Sequence, residues 1–145
     1  DMVAQTTLGA MYFKGIGVPQ DYAEAVYWRE KAANQGDALA QVALGSMYYR
    51  GTGVPQNYAE ALKWCRKAAN QNNATGQAML GSLYYQGAGV PQDYVEAHFW
   101  FNLAAAAGHE EAIKVRKILA TMMTPADIAK AQKRASEWFA ANQPD

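Results

Sequence analysis

Leu44-Gly45-Ser46-Met47-Tyr48-Tyr49-Arg50-Gly51-Thr52-Gly53-Val54-Pro55-Gln56-Asn57-Tyr58 decides the fold, because the same frame stands from Leu8-Gly9 to Tyr22 and from Leu80-Gly81 to Tyr94. Trp28, Trp64 and Trp100 follow in register, so the chain carries three copies of one 36-residue pattern. The first two copies share 22 of 36 residues, which fixes their alignment without gaps. A fixed period of that length means a stacked helical array, whose business is binding rather than catalysis. The positions that differ between copies then become the informative ones.

Residues 1 to 13, 37 to 49 and 73 to 85 carry apolar or small residues at helical spacing, and each predicts a helix A. Gly15-x-Gly17 and its equivalents, with Pro19, Pro55 and Pro91, turn the chain. Asp21-Tyr22-Ala23-Glu24, Asn57-Tyr58-Ala59-Glu60 and Asp93-Tyr94-Val95-Glu96 then read as capping boxes that start helix B. On helix B, Ala25, Trp28 and Ala32, repeated as Ala61, Trp64 and Ala68, share one face, which should pack inward. Gly9, Gly45 and Gly81 cost about 1 kcal/mol each as helix-interior glycines, so a neighbouring helix is expected to approach there, Trp against Gly.

The fourth unit starts in register at His109 but has Arg116-Lys117 where Leu-Gly stood, and reads as a cap over 109–145. Thr124-Pro125-Ala126-Asp127 predicts a last helix from Pro125 to Ala141, with Ile128, Ala131, Ala135, Trp138 and Phe139 as its buried stripe. The expected architecture is all-α: repeats at 1–36, 37–72 and 73–108 plus a C-terminal helix pair, together one domain over 1–145.

Thirteen basic and thirteen acidic residues among 145 give zero net charge without a run of like sign, so neither nucleic acid nor an anionic membrane is an expected partner. No apolar stretch approaches the roughly 20 residues needed to span a bilayer. The chain starts at Asp1 without an initiator Met, in register with Asp37 and Asn73, as expected of a processed chain or a piece of a longer one. Compartment is open between bacterial periplasm and cytoplasm. Cys65 is alone, so an intramolecular disulfide and a multi-cysteine metal site are excluded. His98 and His109 have no second ligand at useful spacing and read as surface or loop histidines; no metal or cofactor is expected. The Gly-x-Gly loops lack the third glycine of a dinucleotide site and the Lys-Ser/Thr of a phosphate loop.

The string Ala40-Gln41-x-x-Leu44-Gly45-x-x-Tyr48-Tyr49-x-Gly51-x-Gly53-Val54-Pro55-Gln56-Asn57-Tyr58, followed by Ala61, Trp64, Ala68 and Ala69, closely resembles the Sel1-like repeat. The resemblance implies an α/α superhelix, or solenoid, of antiparallel helix pairs related to tetratricopeptide repeats, and an adaptor or scaffold role without a reaction. The closing Met-Thr-Pro helix is similar to the end of bacterial members, which implies a bacterial origin. Cysteine-rich bacterial relatives have been credited with penicillin binding or weak β-lactamase activity, so a β-lactam-binding enzyme is one alternative, although this chain lacks their paired cysteines. A structural segment of a longer array is another. Two departures, Gly76 for Ala40 and Asn72 for Gly36, are expected to loosen the joint between copies two and three.

By analogy with tetratricopeptide repeats, helix A lines a concave groove that accepts a protein or peptide. Positions 3, 6, 10 and 13 of each copy share that face: Val3, Thr6, Ala10, Phe13; Leu39, Val42, Ser46, Tyr49; Thr75, Ala78, Ser82, Tyr85. Phe13, Tyr49 and Tyr85 have a competing assignment, packing under their own loops. None of the positions that hold carboxylate-binding cations in some tetratricopeptide domains is basic here, which argues against a carboxylate clamp. Lys114 places one cation at the groove's end, and Lys14 and Arg50 stand at its rim.

Overall fold

The structure, a computed structural model, describes residues 1–143; the last two residues of the expected cap, Pro144 and Asp145, lie outside them. The described residues form eight helices and no strand: α1 (Met2–Lys14), α2 (Tyr22–Asn34), α3 (Ala38–Arg50), α4 (Tyr58–Asn70), α5 (Ala74–Gln86), α6 (Tyr94–Ala106), α7 (Glu110–Ala120) and α8 (Pro125–Ala141). Helix A of each copy starts one residue later than its periodicity suggests. Asp1, Asp37 and Asn73 stand outside as N-caps whose side chains accept from the N–H of Ala4, Leu39 and Gly76.

Each turn between helix A and helix B is closed by three groups. Gly15, Gly51 and Gly87 end helix A at φ 69, 70 and 70°, a left-handed conformation that a side chain resists. The backbone N–H of Asp21, Asn57 and Asp93 donates to the carbonyls of Tyr12, Tyr48 and Tyr84 at 2.9, 2.9 and 3.0 Å. Gln20, Gln56 and Gln92 donate through Nε2 to the carbonyls of Phe13, Tyr49 and Tyr85 at 2.9, 2.9 and 2.8 Å.

This corrects half of the capping-box expectation. Asp21, Asn57 and Asp93 do accept from the N–H three residues on, at 3.1 Å in every copy. Their own N–H, which a box would give to the glutamate, is already held by helix A. The glutamates are left for other work, Glu96 pairing with Arg134 of α8.

The chain packs as two compact units, Asp1–Asn72 and Asn73–Asp145. In the first, α1 to α4 pack each against the next, around Ala25, Val26, Ala40, Leu44, Met47 and Trp64. The expected pairing of Trp with the helix-A glycines is replaced by its neighbour. A Cβ built on Gly9, Gly45 or Gly81 would lie 2.7 Å from Arg29 Cγ, 2.8 Å from Cys65 Sγ or 3.0 Å from a Phe101 ring carbon. The residue after each tryptophan therefore faces the glycine, and Trp28 is only partly buried. Asn72 adopts φ 68° where Gly36 has 96°, and its N–H donates to Ala69 as that of Gly36 does to Ala33, both at 3.0 Å. The local turn survives the substitution because asparagine is among the few side chains that tolerate this region.

In the second unit α6 is central, contacted by α5, α7 and α8, and is buried from Ala97 through Ala104. That enclosure fits a helix apolar on nearly every side. His109 is the N-cap of α7, its Nδ1 accepting from Ala112 N–H at 3.2 Å. α8 buries Ala131 and Ala135, while Ile128 and Trp138 are partly buried and Phe139 is exposed, so the expected stripe is narrower at its end. Arg134 anchors α8 by its ion pair with Glu96 and by lying 4.3 Å from the Phe99 ring centroid.

His98 is a second correction. It is 2% exposed rather than superficial, because the third copy places it at the inward position held by Val26 and Leu62. Arg116 of α7 donates to Asn102 Oδ1 at 3.3 Å, which turns the Asn102 NH2 toward His98 Nδ1 at 3.0 Å. The ring is thus neutral with its proton on Nε2. Burial lowers its pKa, and the nearby Arg116 charge lowers it further.

Candidate interaction surface

Helix A presents its row of positions 3, 6, 10 and 13 in each unit, and the rows are not equally free. In unit 1, Val3 is 71% and Leu39 66% exposed, whereas Thr6, Ala10, Phe13, Val42, Ser46 and Tyr49 are partly buried. The Thr6 hydroxyl is shared between the Met2 carbonyl and the carboxylate of Asp37, the N-cap of α3, so it ties α1 to α3. In unit 2, Thr75 and Lys114 are exposed and Ser82 and Tyr85 partly buried. Ala78, 8% exposed, belongs to the core with Phe101, Ala112 and Leu119, so it offers almost no surface.

The aromatic at position 13 packs within its own copy. Phe13, Tyr49 and Tyr85 lie 5.2, 5.4 and 5.7 Å from Tyr22, Tyr58 and Tyr94, the first residues of the following helix B. Tyr22 and Tyr58 remain 40% and 39% exposed, so in unit 1 each pair still presents aromatic surface. These helix-B tyrosines were missed by a reading confined to helix A. Their signal was in the sequence, since each follows an N-cap in every copy.

Arg29 was missed as well. It springs from α2, crosses Gly9, and brings its guanidinium carbon 4.5 Å from the Phe13 ring centroid, with Nη1 3.1 Å from Met47 Sδ on α3. A cation therefore reaches the row from helix B although helix A carries none there. Burial lowers its pKa, and among the described residues it has no carboxylate within ion-pair distance. Cys65, its counterpart, is fully buried with its thiol pushed up to about 12 by burial, which leaves it protonated and unsuited to act as a nucleophile. No helix is long and apolar enough to cross a membrane among the described residues.

The helix–turn–helix copies, their shared loop and the terminal α7–α8 pair define an all-α repeat protein. The Sel1 repeat family matches at residues 3–37, 38–73 and 74–109, and the chain belongs to it. One similar solved structure is c5321, a protective antigen present in uropathogenic Escherichia coli strains and displaying an SLR fold. It shares 35% identity at a TM-score of 0.89, over 97% of this chain and 30% of that one. A Sel1 repeat protein from Oxalobacter formigenes shares 41% identity at a TM-score of 0.77, over 81% of this chain and 49% of that one. Helicobacter pylori cysteine rich protein B has the same fold, at 24% identity and a TM-score of 0.66 over 79% of this chain and 88% of its own. The chain thus spans 30% and 49% of the first two proteins. No curated protein matches it. Sel1 repeats generally mediate protein–protein interaction and are generally non-catalytic scaffolds.

Proposed function

We propose that the helix-A rows dock a protein or peptide partner without catalysis. In unit 1 the contacts are Leu39, Val42 and Ser46 with Val3, and the Phe13–Tyr22 and Tyr49–Tyr58 pairs at the row's end. In unit 2 they are Thr75, Ser82, Tyr85 and Lys114. The observation that carries this reading is the exposure of Val3 and Leu39, 71% and 66%, at the same position of successive copies. Neither the core nor the turn needs these side chains there, and no helix-A position of the row around them is charged, which suits apolar contact with an extended segment or an amphipathic helix. The test is a photo-crosslinker at Leu39 against a control at Lys67 on α4, with Val42→Asp/Ser46→Asp as the loss-of-binding variant. A partner should crosslink from Leu39 only and be released by the double substitution at unchanged melting temperature; binding that survives it would show the surface to be wrongly assigned.

A second reading, a segment of a longer array, is favoured by the outer face of α1. Ala40, Gln41, Leu44 and Met47 of α3 are 1, 3, 0 and 2% exposed beneath α2, whereas Ala4, Gln5, Leu8 and Met11 are not buried. Gln41 Nε2 donates to the Ala33 carbonyl of α2 at 3.1 Å, and Gln5 makes no such bond. In-register copies upstream in the full gene product are the expected finding; a different upstream fold would count against this reading.

A further inference from the structure

We infer that Arg29 is a recognition point for a carboxylate carried by the partner that docks on unit 1. The inference deepens the docking reading and rests on it for the ligand's carrier. Packing does not require a cation at this position. The other copies fill it with Cys65 and Phe101, against Gly45 and Gly81 as Arg29 is against Gly9, and both are buried apolar groups. Guanidinium offers five N–H donors in a planar fork. Here one donor meets a thioether sulfur, a weak acceptor, at 3.1 Å, and the Phe13 ring faces the cation at 4.5 Å. No carboxylate of the described residues lies within ion-pair distance to take the rest.

The apolar walls matter to the strength of the site. Phe13 on α1 and Met47 on α3 hold the fork between two helices, and partial burial thins the water around it. An oxygen pair arriving there meets a pre-oriented, half-desolvated partner, the setting in which bidentate guanidinium–carboxylate bonds are strongest. A single cation without a second basic group in contact matches a singly charged planar anion better than a phosphate. Phe13 also packs against Tyr22, with ring centroids 5.2 Å apart and the rings tilted by 51°, so an acidic residue held by Arg29 would have apolar neighbours beside an aromatic pair.

The Arg29 Nε–Hε NMR signal reads occupancy directly on the whole chain. N-acetylglycine and N-acetylglutamic acid α-amide serve as probes of a main-chain and a side-chain carboxylate, against sodium chloride at equal ionic strength and inorganic phosphate. A saturable shift with the carboxylates and none with chloride is expected, the tighter of the two acids naming the source. Arg29→Lys should weaken it at least about tenfold through loss of the fork, and Arg29→Cys, which installs the second copy's residue, should abolish it while the melting transition is kept. An equal response to chloride, or tighter binding of phosphate, would overturn the assignment. So would partner docking undiminished in Arg29→Cys. Because the probes are free acids, a failure of protein docking to unit 1 would appear separately, as loss of crosslinking from Leu39 with the small-acid titration intact.

Discussion

Gly45 shows what one absent methyl does in this fold. Cys65 sits where the Cβ would go, 2.8 Å away on a short side chain. Gly45→Ala gains up to about 1 kcal/mol of helix propensity but overpacks a rigid contact, so a net loss of about 1–2 kcal/mol is expected by urea denaturation. Gly9→Ala meets the Arg29 stem, which has rotamers to yield, and should cost clearly less. Gly53→Ala should cost the most, about 3 kcal/mol, because φ is 76° and the Tyr22 carbonyl oxygen would lie 2.5 Å from the new carbon. The same contact governs Cys65: fully buried, with its thiol pushed up to about 12, it should resist a disulfide reagent at pH 8 and react fully once the chain is unfolded in guanidinium. Reaction at the free-thiol rate in the native protein would contradict this packing. Sequence showed that helix B comes close at the glycines. It did not show which residue, because tryptophan and its successor lie one position apart on helix B and only the rotation of α4 against α3 chooses between them.

Among the elements, α6 carries the departure with the clearest consequence. Val26 and Leu62 give way to His98, whose ring accepts from Asn102 while Arg116 of α7 fixes the Asn102 amide. Its folded pKa is lowered from the usual value near 6.5, so above that pH both folded and unfolded chains hold it neutral. As pH falls below about 6.5 the unfolded chain takes up a proton that the folded one resists, and stability declines down to the folded pKa. Urea midpoints between pH 7.5 and 5 should show this fall, and His98→Leu should flatten it and hold α7 in place at the acid end. An unchanged pH slope in the variant would assign the effect to other groups. The helices themselves were legible because caps, glycines and prolines recur at fixed places; α8 begins and ends at the residues its Thr-Pro start and apolar period indicate. The His98 network was not legible. A buried histidine and a superficial one look alike until α7 supplies the arginine that orients Asn102.

For the whole molecule, zero net charge sets an expectation about association. A partner docking on unit 1 should meet no long-range field, and its association rate should change by less than about threefold between 50 and 500 mM NaCl in stopped-flow measurements. A steep salt dependence would point to more charge at the interface than the single Arg29 contact supplies. The rows could be written down from periodicity, yet their occupancy could not. Thr6 is engaged by Asp37, Ala78 is closed into the core of unit 2, and Arg29 arrives from another helix. Each of these depends on what packs across the row rather than along it. The glutamine latch at Gln20, Gln56 and Gln92 has the opposite character, since its acceptors are main-chain oxygens of residues 13, 49 and 85. Any side chain at those positions supplies the same oxygen, which is why Phe13 can stand where Tyr49 and Tyr85 do. Mutation can therefore rewrite the chemistry at the end of each helix A one codon at a time while the hairpin above it stays shut.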